Sequence, residues 1–154
     1  MKRNIWWALL TFTLLGLAAC GGETAVVEEG AVTAGVEEPQ ELGDDLLSET
    51  RVYFEFDSAG LTEEGRRIVE AHVAHLAANT NIMVTLEGHA DERGTREYNL
   101  ALGERRAKAV ARMMRVLGVD SERLKVNSYG EEKPVDNGHD ESAWRQNRRV
   151  EIIY

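Results

Sequence analysis

Hydrophobic and polar positions follow a helical period between Asn99 and Gly118. Apolar side chains recur there at spacings of i, i+3, i+4 and i+7, which makes one apolar stripe along an amphipathic helix. At about 100° per residue, Arg106 falls near the centre of that stripe. Because an unpaired buried guanidinium is strongly unfavourable, Arg106 needs acidic partners. Two possibilities stay open: Asp91, at the end of the preceding strand, satisfies Arg106 permanently, or the position holds the acid of a ligand.

The rest of the folded part is predicted to form a small α/β sandwich. Thr62 is expected to cap a helix that runs to about Ala78, and His72 on its apolar face to be a hydrogen-bonded core histidine. Gly118 is expected to end the Arg106 helix. The predicted strands are 52–57, 82–88, 124–128 and 148–154, with a short helical turn near 142–146. The order is β-α-β-α-β-β, an α+β sandwich with two main helices against one mixed four-stranded sheet.

The first residues have the pattern of an export signal. Two basic residues precede an apolar run, 5–15, that is too short to span a bilayer comfortably. Small residues then lead to Cys20, the single cysteine, which therefore has no partner for an intramolecular disulfide. This arrangement resembles the lipobox of bacterial lipoproteins, in which the cysteine is acylated and Gly21 after it implies sorting to the outer membrane. We expect residues 1–19 to be a lipoprotein signal peptide; the alternative is a plain signal peptide with an incidental cysteine.

Charge is distributed unevenly along the chain. The net charge is −9, yet residues 21–50 contain nine acids and no Lys or Arg, whereas 51–154 contain 18 acids against 16 Lys and Arg. Without aromatic residues the acidic segment cannot bury enough surface to fold. We expect residues 20–50 to be a lipidated, disordered tether with a typical reach of about 30 Å. The near-neutral part, 51–154, has no basic stripe of the kind that binds nucleic acid.

Catalysis and metal binding find little support in the sequence. No serine or cysteine lies in a recognisable nucleophile motif, and no glycine-rich loop resembles a phosphate-binding loop. His89 and Asp91 could supply two metal ligands, but two more at useful spacing are missing because His139 and Asp140 lie in a distant loop. We therefore expect no enzyme activity, no metal and no cofactor.

Several long motifs carry a family resemblance. They are G-H-A-D-E-R-G-T at 88–95, E-Y-N at 97–99, L-G-E-R-R-A at 102–107, S-Y-G-E-E-K-P at 128–134, G-H-D-E at 138–141 and N-R-R at 147–149. Together they resemble the OmpA-like C-terminal domain family over about residues 51–154. The resemblance implies an outer-membrane lipoprotein on the periplasmic side that binds meso-diaminopimelate stems of peptidoglycan without covalent linkage. It also implies a place in the Tol system, which supports envelope integrity and cell division.

The same resemblance implies partners and an alternative role. The partners are peptidoglycan, the outer-membrane lipid that would hold acylated Cys20, the periplasmic β-propeller protein TolB, and TolA; the chain itself is expected to be a monomer. The alternative is the wall-binding domain of another envelope machine, such as a motor stator. That role needs a retained transmembrane helix, whereas this chain has the short apolar run described above.

The ligand implied by the resemblance carries an ammonium and a carboxylate on one carbon. Asp91 would accept hydrogen bonds from the ammonium, and Arg106 would offer its planar fork to the carboxylate. Helix amides near Asn99 are expected to help to hold that carboxylate. The resemblance also implies Asp57 as a site residue beside Phe56. Asn99 and the backbone around Ala90 and Leu102 are implied as the remaining wall.

Charged residues around this site are expected to divide into exposed and paired groups. Glu92, Arg93 and Arg96 are expected to be exposed. Of Arg148 and Arg149, one is expected to pack against the acidic loop residues and the other to be solvated. Without ligand, Asp91 and Arg106 are expected to form a salt bridge.

Overall fold

The computed structural model describes residues 43–154, with side chains from residue 46 onward. The helices are α1 (Gly43–Ser48), α2 (Glu63–Ala78), α3 (Arg96–Val116) and α4 (Glu141–Asn147), and the strands are β1 (Arg51–Tyr53), β2 (Val84–His89), β3 (Leu124–Gly130) and β4 (Arg149–Ile153). A 3₁₀ turn at Ser121–Arg123 precedes β3. The expected signal peptide, Cys20 and most of the expected tether lie outside the described residues. Within the described part, no helix is long and apolar enough to cross a membrane.

The four strands form one mixed sheet in the order β1-β4-β2-β3. β4 pairs antiparallel with both β1 and β2, whereas β2 and β3 are parallel. The parallel pair is joined through α3, as parallel neighbours require a crossover connection. The predicted α/β class, with two main helices against a mixed four-stranded sheet, is confirmed.

The hydrophobic core lies between one face of this sheet and helices α2 and α3. It is built from alternate strand residues and from the apolar stripes of both helices, and its fully buried members include Val52, Val84, Leu86, Val150, Leu76, Val110 and Met114. His72 on α2 is also fully buried. Its Nε2 lies 3.0 Å from the carbonyl oxygen of Glu49 and its Nδ1 lies 2.5 Å from the hydroxyl of Tyr154. The prediction of a hydrogen-bonded core histidine is therefore confirmed.

The first strand is shorter than the alternation predicted. β1 ends at Tyr53, and the Phe56 side chain is 57% exposed rather than buried with Val52 and Phe54. The cause is a turn in which Asp57 adopts a φ of 52°, a left-handed conformation that Asp tolerates better than most residues. This turn carries the chain away from the sheet, so the prediction of a strand to residue 57 is wrong.

Ordered structure also begins earlier than residue 51. Helix α1 lies inside the segment expected to be a disordered tether, and its Leu46 packs against the core. Composition alone did not indicate this tertiary contact, because it depends on a core formed by other parts of the chain.

Helix α3 has well-defined ends. Thr95 caps it by accepting a hydrogen bond from the backbone N–H of Tyr98 at 3.2 Å, so the helix begins at Arg96, earlier than Asn99. At the other end, Gly118 has a φ of 103° and donates to the carbonyl of Arg115, while Val119 donates to that of Met114. These two bonds form a Schellman motif, so the prediction that Gly118 ends the helix is confirmed.

Two glycines let α3 approach β2 closely. A Cβ on Gly88 would lie 1.9 Å from the carbonyl oxygen of Gly103, and a Cβ on Gly103 would lie 2.8 Å from the carbonyl oxygen of Gly88. The atoms that a Cβ on Gly88 would meet are all backbone, so no side chain can rotate away to relieve that contact. This contact fixes the height of α3 on the sheet, and Arg106 lies one helical turn beyond it.

Gly88→Ala is therefore expected to lower the free energy of unfolding by about 3 kcal/mol, the upper part of the range for overpacking. The matched control is Gly60→Ala, where the added Cβ would meet only the Ser58 hydroxyl at an ordinary 3.4 Å. Urea denaturation followed by circular dichroism measures both variants. Equal stability of the two would contradict the close approach.

Candidate functional site

A cavity of about 230 Å³ opens where β2 leaves the sheet. It is lined by Phe56, Asp57, Asp91, Arg93, Gly94, Tyr98 and Leu102. The structure thus brings four of the expected site residues, Asp91, Asp57, Phe56 and Leu102, around one space. Arg106, Asn99 and Ala90 lie behind this lining, as described below.

Asp91 is the buried acid of this cavity, with 5% of the residue exposed. Its Oδ1 accepts from the backbone N–H and the Nε of Arg93 at 3.1 and 3.3 Å, and its Oδ2 accepts from Arg93 Nη2 at 2.8 Å. Arg148 Nη1 donates to Oδ2 at 3.2 Å. Burial raises the pKa of Asp91, but the hydrogen bonds from Arg93 and Arg148 outweigh it, so the pKa lies below its ordinary value. Asp91 is an ionised carboxylate that already holds cations.

Arg93 covers Asp91 from the solvent side. Its guanidinium lies between two aromatic rings, 4.0 Å from the ring centroid of Phe56 and 4.2 Å from that of Trp144. Glu141 adds an ion pair at 3.5 Å. Cation–π contacts of this kind contribute about 0.5–1 kcal/mol each at exposed sites. Arg93 was expected to be exposed, but only 31% of its side chain is exposed, because aromatic and acidic groups enclose it.

Arg148 supports Asp91 from below and is 2% exposed. Its Nη2 donates to Glu141 Oε1 at 2.6 Å and its Nε to the carbonyl of Phe54 at 3.2 Å. Arg149 is 4% exposed and donates at 2.7 Å to Glu151, two positions further along β4. The expectation that one of the two arginines packs against the acidic loop is confirmed for Arg148. The expectation that the other is solvated is wrong, because Arg149 is buried as well.

Arg106 is fully buried, as its place on the apolar stripe predicted. Its Nε donates to the carbonyl of Ser58 at 2.8 Å, its Nη1 to that of His89 at 2.9 Å and its Nη2 to that of Glu55 at 3.1 Å. The expected salt bridge with Asp91 is wrong for this state, because backbone carbonyls occupy the guanidinium and Asp91 pairs with Arg93 and Arg148. Burial lowers the pKa of Arg106 to about 10, while the nearby charge of Asp91 opposes the shift, so the group stays charged at neutral pH.

These contacts make Arg106 a brace between two loops. It ties the turn after β1 to the end of β2, which are the two segments that carry Phe56 and Asp91. Three of its five N–H groups donate in these contacts. The position of the cavity walls therefore depends on Arg106.

Asn99 and Ala90 position the site from behind. Asn99 is 1% exposed and its amide donates to the carboxylate of Glu131, while the backbone N–H of Ala90 donates to the carbonyl of Gly130 at 2.8 Å. Asn99 lies in the first turn of α3, and its own N–H donates to the carbonyl of Thr95 at 2.9 Å. The help of the helix amides in holding a carboxylate stays a prediction. Asn99 thus holds the loop after β3 against α3, and Ala90 holds the end of β3 against the loop after β2.

Helix α4 supplies two site groups that sequence reasoning missed. Glu141 bonds both Arg93 and Arg148, and Trp144 forms one side of the aromatic enclosure. Trp144 Nε1 also donates to Glu92 at 2.9 Å, and His139 lies 2.8 Å from the same carboxylate, so the loop judged distant is in contact. A signal was present: Asp140 is an N-cap, and an acid and a tryptophan at i and i+3 share one helix face.

The described residues also border two larger cavities. One of about 570 Å³ is bordered by Tyr53, Thr62 and Arg145, and one of about 420 Å³ by Ala90, Glu131 and His139. We assign the candidate site to the smaller cavity because it contains a buried, ionised acid beneath an aromatic rim. That combination recognises a cationic group.

Comparisons with known proteins agree with the fold and the motifs. The model of the OmpA family matches residues 53–148. The peptidoglycan-associated lipoprotein of Haemophilus influenzae is 50% identical over 156 residues and covers all of both chains. That of Pseudomonas putida is 47% identical over 155 residues, which is 94% of this chain and 92% of the relative.

Solved structures give the same result. The peptidoglycan-associated lipoprotein from Burkholderia pseudomallei superimposes with a TM-score of 0.70 at 40% identity, over 76% of this chain and 99% of that one. The C-terminal domain of Helicobacter pylori MotB superimposes with a TM-score of 0.62 at 21% identity, over 67% of this chain and 81% of that one, which is a likeness of fold alone. Since the matching relatives extend over the whole chain and the family model covers most of the described residues, the chain belongs to the OmpA family and, within it, to the peptidoglycan-associated lipoproteins.

Proposed function

We propose that this protein binds the peptide stems of peptidoglycan without covalent linkage, at the cavity over Asp91, and so joins the outer membrane to the cell wall. The observation that supports this most is the buried Asp91 carboxylate, which holds a cation beneath Phe56 and Trp144. The family resemblance suggests the ligand: the side-chain end of meso-diaminopimelate, which carries an ammonium and a carboxylate on one carbon.

The ammonium would take the place of the Arg93 guanidinium. Arg93 is the outermost of the two arginines that contact Asp91, whereas Arg148 is buried. Once Arg93 turns outward, Asp91 could accept from the ligand while Arg148 and Glu141 stay in place. Charge-assisted hydrogen bonds contribute about 1.5–3 kcal/mol each, so an exchange of one cation for another gives modest affinity per stem.

The carboxylate would bind near Arg106. This guanidinium has N–H groups beyond the three that bond the loop carbonyls, and the negative charges of Asp91 and Asp57 both act on it. An acid that arrives together with an ammonium on Asp91 would be attracted by Arg106 through the same opening. Modest affinity for one stem becomes firm attachment on a wall of repeated stems because binding is multivalent.

If Arg93 covers the ammonium position, Arg93→Gln is expected to bind a soluble meso-diaminopimelate stem peptide about fivefold more tightly, because the closed state no longer reduces apparent affinity. Isothermal titration calorimetry measures the change. The matched control is Arg96→Gln, which removes the same charge from an exposed pair with Glu132. Unchanged or weaker binding by Arg93→Gln would show that Arg93 is part of the binding wall and not its cover.

Wall binding itself is tested by sedimentation with purified sacculi. The folded protein is expected to sediment with the sacculi, and an excess of soluble stem peptide is expected to release it. Release by salt alone, with no effect of the peptide, would reject a stem-specific site. Sacculi incubated with the protein are expected to give the same muropeptides on later digestion as sacculi incubated without it, because we propose a binding module and not an enzyme.

We propose that the protein is held on the periplasmic face of the outer membrane by acylated Cys20. The support is the small-residue run before this single cysteine and the membership of a lipoprotein family. Mass spectrometry of the mature N-terminus tests it, with the acyl mass expected on Cys20. An uncleaved start at Met1 without acylation would favour a membrane-spanning machine instead.

We further propose TolB, and with it TolA, as protein partners that bind at the opening of the cavity over Asp91. The family resemblance suggests these partners, and the exposed side chains of Phe56, Tyr98 and Leu100 offer apolar contact area beside the cavity. A competition experiment tests this: stem peptide is expected to reduce TolB capture by the protein. Capture that is insensitive to saturating peptide would place TolB on another surface.

A further inference from the structure

Three potential metal ligands meet on the face of the sheet that points away from α2 and α3. Glu87 and His89 lie two positions apart on β2, and Glu151 is paired directly with Glu87 across the β2–β4 ladder. Residues two apart on a strand share one face, and the intervening Gly88 contacts α3 on the other. One ligand atom from each of the three side chains lies within 4.8 Å of the others.

His89 is the member that points to a ligand. It is 2% exposed, and neither Nδ1 nor Nε2 has a hydrogen-bond partner among the described residues. A buried ring nitrogen without a partner is unfavourable, and native proteins rarely leave one so. The ring stacks on Tyr129 with centroids 5.7 Å apart and an angle of 26° between planes, which fixes its direction.

The two carboxylates of this cluster oppose one another across the ladder. Glu87 and Glu151 are like charges in directly opposed positions of an antiparallel pair, an arrangement that is destabilising without cations beside it. Arg51, 4.0 Å from Glu151, supplies part of that positive charge. Arg149 donates to one oxygen of Glu151 at 2.7 Å, and Tyr129 donates to Glu87 Oε1 at 3.3 Å. Each carboxylate keeps a further oxygen, and both side chains are only partly buried, so they can turn toward the imidazole.

We propose that Glu87, His89 and Glu151 form a zinc-binding site that joins β2 to β4 on the outer face of the sheet. One imidazole and two carboxylates, completed by water, are a ligand set that zinc accepts. An imidazole ligand favours zinc over calcium or magnesium, which prefer oxygen ligands alone. The site lies on the opposite side of β2 from the cavity over Asp91, so it does not depend on the proposed function.

Zinc titration of the full chain in detergent tests this inference. We expect one zinc ion to bind per chain. The zinc affinity is expected to fall at least about tenfold in Glu151→Gln and in His89→Ala. Cobalt(II) serves as a spectroscopic probe, and its visible absorption is expected to show low-coordinate nitrogen and oxygen ligation that disappears in both variants. His139→Ala is the control, because His139 is an exposed histidine beside Glu92 and reports zinc bound at the surface.

A thermal denaturation series keeps the test independent of folding defects. Zinc is expected to raise the unfolding midpoint of the unmodified chain in a concentration-dependent way, as any ligand of the native state does. The unfolding midpoint of Glu151→Gln is expected to stay unchanged. The proposal is overturned if the unmodified chain binds no zinc. It is equally overturned if Glu151→Gln keeps the bound zinc, whether or not His139→Ala loses it.

Discussion

Replacing Arg106 with methionine is expected to lower the free energy of unfolding by about 4 kcal/mol. The substitution leaves the carbonyls of Ser58, His89 and Glu55 without their donor, and unpaired buried polar groups cost about 1–3 kcal/mol each. Methionine replaces much of the packing volume, so the loss measures the hydrogen bonds. Since small domains have total stabilities of about 5–15 kcal/mol, this loss brings the protein close to unfolding at ordinary temperature.

The control for this effect is the neighbouring residue. Arg105 is exposed, and its guanidinium lies 5.4 Å from the ring centroid of Tyr98, so Arg105→Met is expected to cost less than about 1 kcal/mol. Urea denaturation of both variants compares them directly. If Arg106→Met were as stable as Arg105→Met, the brace between the two loops would have no energetic role.

Asp91→Asn is expected to weaken binding of the meso-diaminopimelate stem peptide on the order of 100-fold, since charge-assisted hydrogen bonds to the ammonium are lost. The fold is expected to survive. Arg148 loses one of its two charged partners but keeps Glu141 and the carbonyl of Phe54, and asparagine preserves the shape of the side chain. Calorimetry measures the affinity, and circular dichroism verifies the fold in the same samples.

Glu132→Gln provides the matched change of charge outside the cavity, on an exposed acid that pairs with Arg96. It is expected to leave the affinity within about twofold of the original, as exposed ion pairs contribute little. If Asp91→Asn is folded and binds the peptide as tightly as Glu132→Gln does, the ammonium binds elsewhere.

The sequence predicted the burial of Arg106 but not its partners. The helical period of α3 is a local property, so it locates Arg106 on the apolar stripe without knowledge of the rest of the chain. The acceptors are carbonyls of the turn around Asp57 and of His89, and their positions depend on one left-handed residue and on the contact between Gly88 and Gly103. The pattern of hydrophobic positions reveals neither feature. Without them, a carboxylate was the expected partner of a buried guanidinium.

The position of Arg93 over Asp91 could not be predicted from the sequence for a related reason. Arg93 follows Asp91 in the chain and could be taken for a solvated loop residue, but its enclosure depends on Trp144 and Glu141 from α4. Sequence separation gives no indication that this short helix lies against the loop. The residues of the candidate site followed from the motif, whereas its closed arrangement required the tertiary structure.

The central claim is that one site recognises an ammonium and a carboxylate together, and stem peptides that differ in one group test it most directly. The unmodified protein is titrated by calorimetry with a stem peptide that contains meso-diaminopimelate and with the same peptide that contains lysine, which keeps the ammonium and lacks the carboxylate. No residue is changed, so the brace formed by Arg106 stays intact. We predict at least about tenfold tighter binding of the diaminopimelate peptide, the effect of one charge-assisted contact. Equal affinity for the two peptides would contradict the account and leave Arg106 with a structural role only.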